Sequence, residues 1–116
     1  NPLPKLTIGG GFGKLTKLSQ GHLDLHSGRS QVDFLLLAEL LKKLGANPQL
    51  CEQTKSANTA NEVLILAQNS GIPLADVIAQ QACFVVRKAL RNTETQLNVL
   101  VINRQGELVG EAENES

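Results

Sequence analysis

The sequence predicts a single α/β domain, with α+β as the looser alternative: a short central sheet, a glycine-rich loop, several helices and a closing β-hairpin. Three observations predict it. Polar and apolar residues alternate from Lys5 to Ile8 and run into a glycine cluster, the pattern of a strand entering a tight turn. The middle of the chain carries apolar residues at three-and-four spacing, interrupted at Gly45 and Gly71, where helices stop. Near the end, Leu97 to Ile102 is a β-branched run followed by a turn at Asn103 to Gly106 and by Glu107 to Val109, which reads as strand, turn and returning strand.

The elements follow in order. Six of the ten glycines occur by Gly28, so this stretch of backbone needs close approach or unusual dihedral angles. Gly13 to Ser19 reads as a short helix with Leu15 and Leu18 inward and Lys14 and Lys17 on another side. Ser30 can cap a helix through Val32, Leu36, Leu37, Leu40, Leu41 and Leu44 that stops at Gly45; Phe34 and Leu35 widen its apolar face, so it is expected to be sandwiched. Asn47-Pro48 begins another short helix with proline in the first turn. Thr59 and Glu62 have capping-box spacing for a helix through Leu64, Ile65 and Leu66 ending at Gly71. Pro73 opens the longest helix, with Leu74, Val77, Ile78, Gln81, Ala82, Val85 and Ala89 on one face and Arg87, Lys88 and Arg91 near its negative pole.

Composition narrows the classes of function. The 116 residues are 41% hydrophobic and 19% charged with a formal net charge of zero, which suits one globular core and supplies no basic field for nucleic acid. Glu107, Glu111, Glu113 and Glu115 make the stretch 107–116 an expected solvated acidic tail. Cys51 and Cys83 have no metal-type spacing and read as reduced helix thiols. No stretch approaches the roughly 20 apolar residues of a membrane helix, and the expectation is a soluble cytoplasmic protein. The chain has no Met, so it is expected to be part of something longer.

Chemistry concentrates near the N-terminus. Gly9-Gly10-Gly11-Phe12-Gly13-Lys14 follows a strand and precedes a helix, the context in which backbone N–H groups bind anions. It is neither a dinucleotide fingerprint, which needs glycine where Lys14 stands, nor a Walker A loop, which needs a hydroxyl residue where Leu15 stands. A purely structural tight turn fits it equally well. Gly21 to Arg29 then holds both histidines of the chain, with Asp24, Ser27 and Arg29. His22, Asp24 and His26 share a face if extended, and the two histidines share one if helical. With no third strong ligand nearby, no metal site is expected. The glycine loop and the His22 to Ser27 segment are expected side by side, as one concave wall at the sheet edge.

These residues carry a resemblance. The run Gly11-Phe12-Gly13-Lys14-Leu15-Thr16-Lys17-Leu18, then Gly21-His22 and His26-Ser27, resembles without a gap the pattern G-x-x-G-K-L-x-K-L-A-x-G-H-x-x-x-H-S of the cobalt-precorrin-5B C1-methyltransferase family. Ala57-Asn58-Thr59-Ala60 resembles the family's second signature. Ser19 departs from the usual Ala, and Asp24-Leu25 from a common Asn-Thr. The resemblance spans Leu6 to about Ala82 and implies the C-terminal portion of a longer enzyme whose N-terminal domain is absent.

What the resemblance implies is methyl transfer from S-adenosylmethionine to ring carbon C1 of cobalt-precorrin-5B, giving cobalt-precorrin-6A and S-adenosylhomocysteine in cobalamin biosynthesis. The substrate's acetate and propionate arms call for cations and backbone donors. Lys14, Lys17 and Arg29, the amides at Gly9, Gly11 and Gly13, and Ser27 are the expected binding set. Asn58 and Thr59 join it at a helix start, where they also read simply as caps. His22 or His26 is the candidate general base, or else binds a carboxylate arm. Two other classes stay open: a non-catalytic anion- or phosphate-binding module, and a scaffolding or oligomer-forming module whose apolar helix from Ser30 to Gly45 is partly an interface.

Overall fold

The computed structural model of the chain describes residues 4–23, 31–90 and 94–114. The elements run β1 (Lys5–Gly11), α1 (Phe12–Ser19), α2 (Phe34–Lys43), α3 (Pro48–Lys55), α4 (Ala60–Asn69), α5 (Leu74–Ala89), β2 (Gln96–Ile102) and β3 (Leu108–Asn114). Five helices therefore separate two strands that lie side by side. β1 pairs with β2 in parallel, with Leu6 opposite Leu97 and Ile8 opposite Val99. β2 pairs with β3 antiparallel, with a bulge at Val101/Ile102, and the sheet order is β1-β2-β3. The expected α/β architecture is present.

Strand periodicity sorts the sheet into two unlike faces. Leu97, Val99 and Val101 are buried on one face, under α5 and α1. The core beneath them is Phe12, Leu15 and Leu18 of α1 with Leu74, Ile78, Ala82 and Cys83 of α5. Burial of each large aliphatic side chain there contributes about 1.5–3 kcal/mol. The other face carries Lys5, Thr7 and Gly9, then Ile102, and Leu108, Glu111 and Glu113, all exposed. α2 and α3 pack chiefly on each other through Leu37, Leu41 and Leu50.

α5 approaches β3 closely because small residues meet. A Cβ added to Gly110 would stand 2.5 Å from the Ala75 carbonyl carbon and 2.6 Å from its Cβ. Beside this contact the Glu111 N–H donates to Asp76 Oδ1 at 2.9 Å. Cys83 is buried with its Sγ 3.9 Å from the Ala112 carbonyl oxygen; burial pushes its thiol pKa up, and nearby Arg87 partly opposes this.

Three expectations are corrected. The second helix begins at Phe34, not at Ser30, because Asp33 is its N-cap, accepting from the Leu35 and Leu36 N–H groups at 3.0 and 3.1 Å; Ser30 itself lies outside the described residues. That helix is not sandwiched, since Leu35 and Leu36 are 61% and 46% exposed. The acidic stretch is not a tail over most of its length: Leu108–Asn114 is β3, with Glu111 and Glu113 on the exposed face. Elsewhere the caps match. Asn47 accepts from Leu50 N–H at 2.8 Å, Thr59 from Glu62 N–H at 3.2 Å, and Glu62 returns a contact to Asn58 N–H at 3.4 Å.

Candidate functional site

Two helix starts converge at the carboxyl ends of the parallel strands. Gly11 closes β1 and is the N-cap of α1, extended at φ −68° and ψ 161° and contributing no side-chain cap. The first-turn N–H groups of α1 therefore lack the hydroxyl or carboxamide that caps most helices. Across from it stands the start of α4. Gly11, Phe12, Gly13, Thr59, Ala60 and Asn61 line one cleft of about 230 Å³, closed by Ile102, Asn103 and Arg104 after β2. A Cβ on Gly11 would meet nothing within 4 Å, one on Gly13 would only touch Ala60 Cβ at 3.8 Å, and one on Gly9 would only touch the Leu100 carbonyl oxygen at 4.0 Å. Internal packing demands glycine at none of the three. Gly10 differs, because a Cβ there would press on Leu15 and Lys14 side chains at 2.9 Å.

The cleft's chemistry is that of an anion acceptor. The uncapped start of α1, Arg104 and Asn61 line it with no acidic residue among them, while the α4 start is already capped by Thr59 and carries Glu62 in its first turn. Ligands of open α/β sheets bind at carboxyl strand ends in this way. Asn61, Asn103 and Arg104 were not legible as site residues. Asn103 and Arg104 belong to a turn whose place beside the glycine loop depends on the β1–β2 pairing. Asn103 is also spent on that turn, its Oδ1 accepting from Gln105 and Glu107 N–H groups and its Nδ2 donating to Glu107 Oε1.

The histidine end of the motif lies elsewhere. α1 ends in a glycine cap: Gly21 has φ +95°, its N–H donates to the Leu18 carbonyl at 2.9 Å, and the His22 N–H donates to the Lys17 carbonyl at 3.1 Å. His22 is half-buried and fixed at the far end of α1 from Gly11, about 12 Å away by helix rise alone. His22 thus stands apart from the glycine loop, because a whole helix intervenes, and the rest of the expected wall, residues 24–27, lies outside the described residues. His26, Ser27 and Arg29 lie outside the described residues. Lys14 is exposed with its stem folded toward Gly10, and Lys17 is half-buried in the last turn of α1. Asn58 is exposed just before the Thr59 cap.

A second groove, lined by apolar residues together with Glu39, Lys43 and Gln81, opens at the histidine end. It measures about 440 Å³, between Ser19–Gly21, Leu36 and Leu40 of α2, and Phe84 and Val85 of α5. Gln20 holds its wall in place: Nε2 donates to the Asp33 carbonyl at 2.9 Å, and the Asp33 N–H donates to Oε1 at 2.8 Å. This two-way clasp fixes the start of α2 against the end of α1. Sequence inspection passed over Gln20 because nothing local links it to Asp33.

Comparison with known proteins places the chain. Residues 24–113 match the family model described as CbiD, C-terminal domain, and the chain belongs to that family. A relative from Paramagnetospirillum magneticum, named cobalt-precorrin-5B C(1)-methyltransferase, is 50% identical over 112 residues, which are 97% of this chain and 31% of that protein. Proteins of the same name from Rhodospirillum rubrum and Methylorubrum extorquens are 50% and 44% identical, over 96% and 94% of this chain and 31% and 30% of theirs. The chain therefore spans about a third of the length of the curated relatives it matches. No solved structure matches it. Among the described residues, no helix is long and apolar enough to cross a membrane.

Proposed function

We propose that this domain supplies the carboxylate-binding half of a corrinoid C-methyltransferase, which methylates C1 of cobalt-precorrin-5B to give cobalt-precorrin-6A in the cytoplasm. The observation that carries the reading is the cleft where Gly11–Gly13, Thr59–Asn61 and Arg104 meet, in a chain half identical to relatives of that name. Helix-end N–H groups and a guanidinium suit the substrate's acetate and propionate arms. Lys14 and Lys17 extend the cationic surface along α1, with Arg29 and Ser27 expected to join them.

The methyl donor is S-adenosylmethionine, whose sulfonium supplies an activated methyl for in-line displacement by the ring carbon. The donor set of the cleft fits the carboxylate end of that molecule as well as an arm of the substrate. It does not fit the sulfonium, which has no acidic partner there, and the aromatic residue of the lining, Phe12, is buried in the core. This domain's residues bind and orient, and such positioning can lower a barrier by roughly 7–11 kcal/mol. His22 or His26 takes the ring proton released after methylation or holds a further carboxylate.

Size supports a composite site. The anion cleft and the second groove lie at opposite ends of α1 at about 230 and 440 Å³, one below and one near the lower end of the roughly 300–1,000 Å³ that encloses a single small ligand, whereas this reaction needs a macrocycle and a donor together. Titration of the 116-residue chain and of the full-length enzyme with S-adenosylhomocysteine and a cobalt corrinoid precursor tests it, alongside methyl transfer from labelled donor. Expected are turnover by the full-length enzyme and none by the chain alone. Turnover by the isolated chain would refute the composite site.

A further inference from the structure

β1 is a parallel strand left at a sheet edge. The Gln96 N–H donates to the Pro4 carbonyl at 2.8 Å. Alternation along a parallel ladder then turns Leu6, Ile8 and Gly10 toward β2, and the N–H and C=O groups of Lys5, Thr7 and Gly9 away from it. Parallel strands in globular proteins are ordinarily covered on both faces. Here the face bearing Thr7, Gly9, Ile102 and Leu108 is bare among the described residues, with Ile102 36% and Leu108 55% exposed, and Leu6 on the edge is 38% exposed.

The usual guards against edge pairing are also missing. β1 is seven residues long, has no internal proline, and carries one charge, Lys5, at its start. The bulge lies on the β2–β3 side. Gly9 and Gly11 present no side chain to hold another backbone off.

We propose that the β1 edge receives a further strand from the part of the family chain that precedes this C-terminal domain, and that the same segment covers the bare sheet face over Ile102 and Leu108. The relatives carry about two-thirds of their length outside the matched region. Tethering would present that segment at millimolar effective concentration. The added strand runs past Gly9 and Gly11 and becomes the missing wall of the anion cleft. The proposal rests on the composite-site reading only in requiring that the rest of the chain meets this domain.

Residue-resolved hydrogen exchange on the full-length chain tests it without turnover, so failure of the strand and failure of the chemistry are told apart. At concentrations where the protein is monomeric, the Thr7 and Gly9 amides are expected to be protected by about a hundredfold or more, as the inward Leu6 and Ile8 amides are. Free exchange at Thr7 and Gly9 beside protected Leu6 and Ile8 overturns the proposal. So does protection that vanishes on dilution from dimer to monomer, which would make the added strand a second copy's. Thr7→Pro removes an outward N–H without touching the β2 ladder. It is expected to release Lys5 and Gly9 protection, whereas Thr7→Ala keeps it; equal behaviour of the two variants contradicts an added strand.

Discussion

Gly110→Ala should be among the most damaging single-methyl additions available to this domain. The new Cβ would stand 2.5, 2.6 and 2.7 Å from the carbonyl carbon, Cβ and carbonyl oxygen of Ala75, against a comfortable carbon–carbon contact of about 3.5–4.0 Å. Two of the three struck atoms are backbone in the first turn of α5, so no rotamer change relieves them. α5 and β3 must part by about 1 Å, which strains the Glu111 to Asp76 hydrogen bond next to the contact and opens the Cys83 and Ile78 layer. Overpacking costs about 1–3 kcal/mol, and a backbone clash belongs at the upper end, so about 3 kcal/mol is expected. At about 4 °C per kcal/mol for a domain of this size the melting temperature falls by roughly 12 °C. With no Trp or Tyr in the chain, urea unfolding is followed by far-UV circular dichroism. Gly9→Ala is the control, since its Cβ meets only one atom at 4.0 Å and a strand residue is gained. A Gly110→Ala variant within about 0.5 kcal/mol of the parent, the usual range of a neutral surface change, would refute the α5–β3 contact.

Further outcomes are expected at the cap, the thiols and the cations. Thr59→Ala removes the acceptor for Glu62 N–H and should cost about 1 kcal/mol, read by the same urea titration. In the native chain a neutral thiol reagent should label half-buried Cys51 quickly and Cys83 only on unfolding. Because burial raises the Cys83 pKa in the folded state, its contribution to stability is complete below the ordinary thiol range and is lost as pH rises through the folded value; Cys83→Ala should flatten that alkaline decline. In the full-length enzyme Lys14→Ala and Lys17→Ala should each raise KM by up to about fivefold with kcat little changed, as expected for carboxylate pairs that favour ground and transition states alike. His22→Gln and His26→Gln variants whose single-turnover rates keep the parent pH dependence would leave neither histidine as the base.

The fold was legible wherever the signal was local. The opening strand, the five helices and the β2–β3 turn announce themselves through periodicity, capping residues and glycine stops, all encoded within a few residues. The misreadings arise from contacts distant in sequence. Ser30 and Asp33 are both good caps, and what favours Asp33 includes the Gln20 clasp on its backbone from thirteen residues away. In β3 a period of two is present, but its inward positions opposite Val101 and Val99 are Gly110 and Ala112. Small residues carry almost no hydrophobic signal, so the glutamates between them dominated the reading. Gly110 is small because Ala75 of α5 lies against it, a requirement only the packed structure states.

The candidate site was legible in its parts and not in its grouping. Gly11, Gly13 and Thr59 were selected from two separate stretches, and the structure brings both to one cleft. What joins them is the packing of α1 against α4, with Gly13 beside Ala60, and no local pattern encodes it. The parallel pairing of β1 with β2, made across five helices, draws in Arg104 and Asn103, which read from sequence as turn residues only. His22 was grouped with the glycine loop because polar and glycine residues concentrate in both stretches, yet eight of the ten positions between Gly11 and His22 are the helix α1, a rigid spacer. The spacing of the motif is then the length of that spacer: one residue added to the end of α1 would rotate His22 by about 100° relative to the cleft and to Lys14 and Lys17, so the register of the motif is a statement about the direction in which the chain leaves α1 at His22.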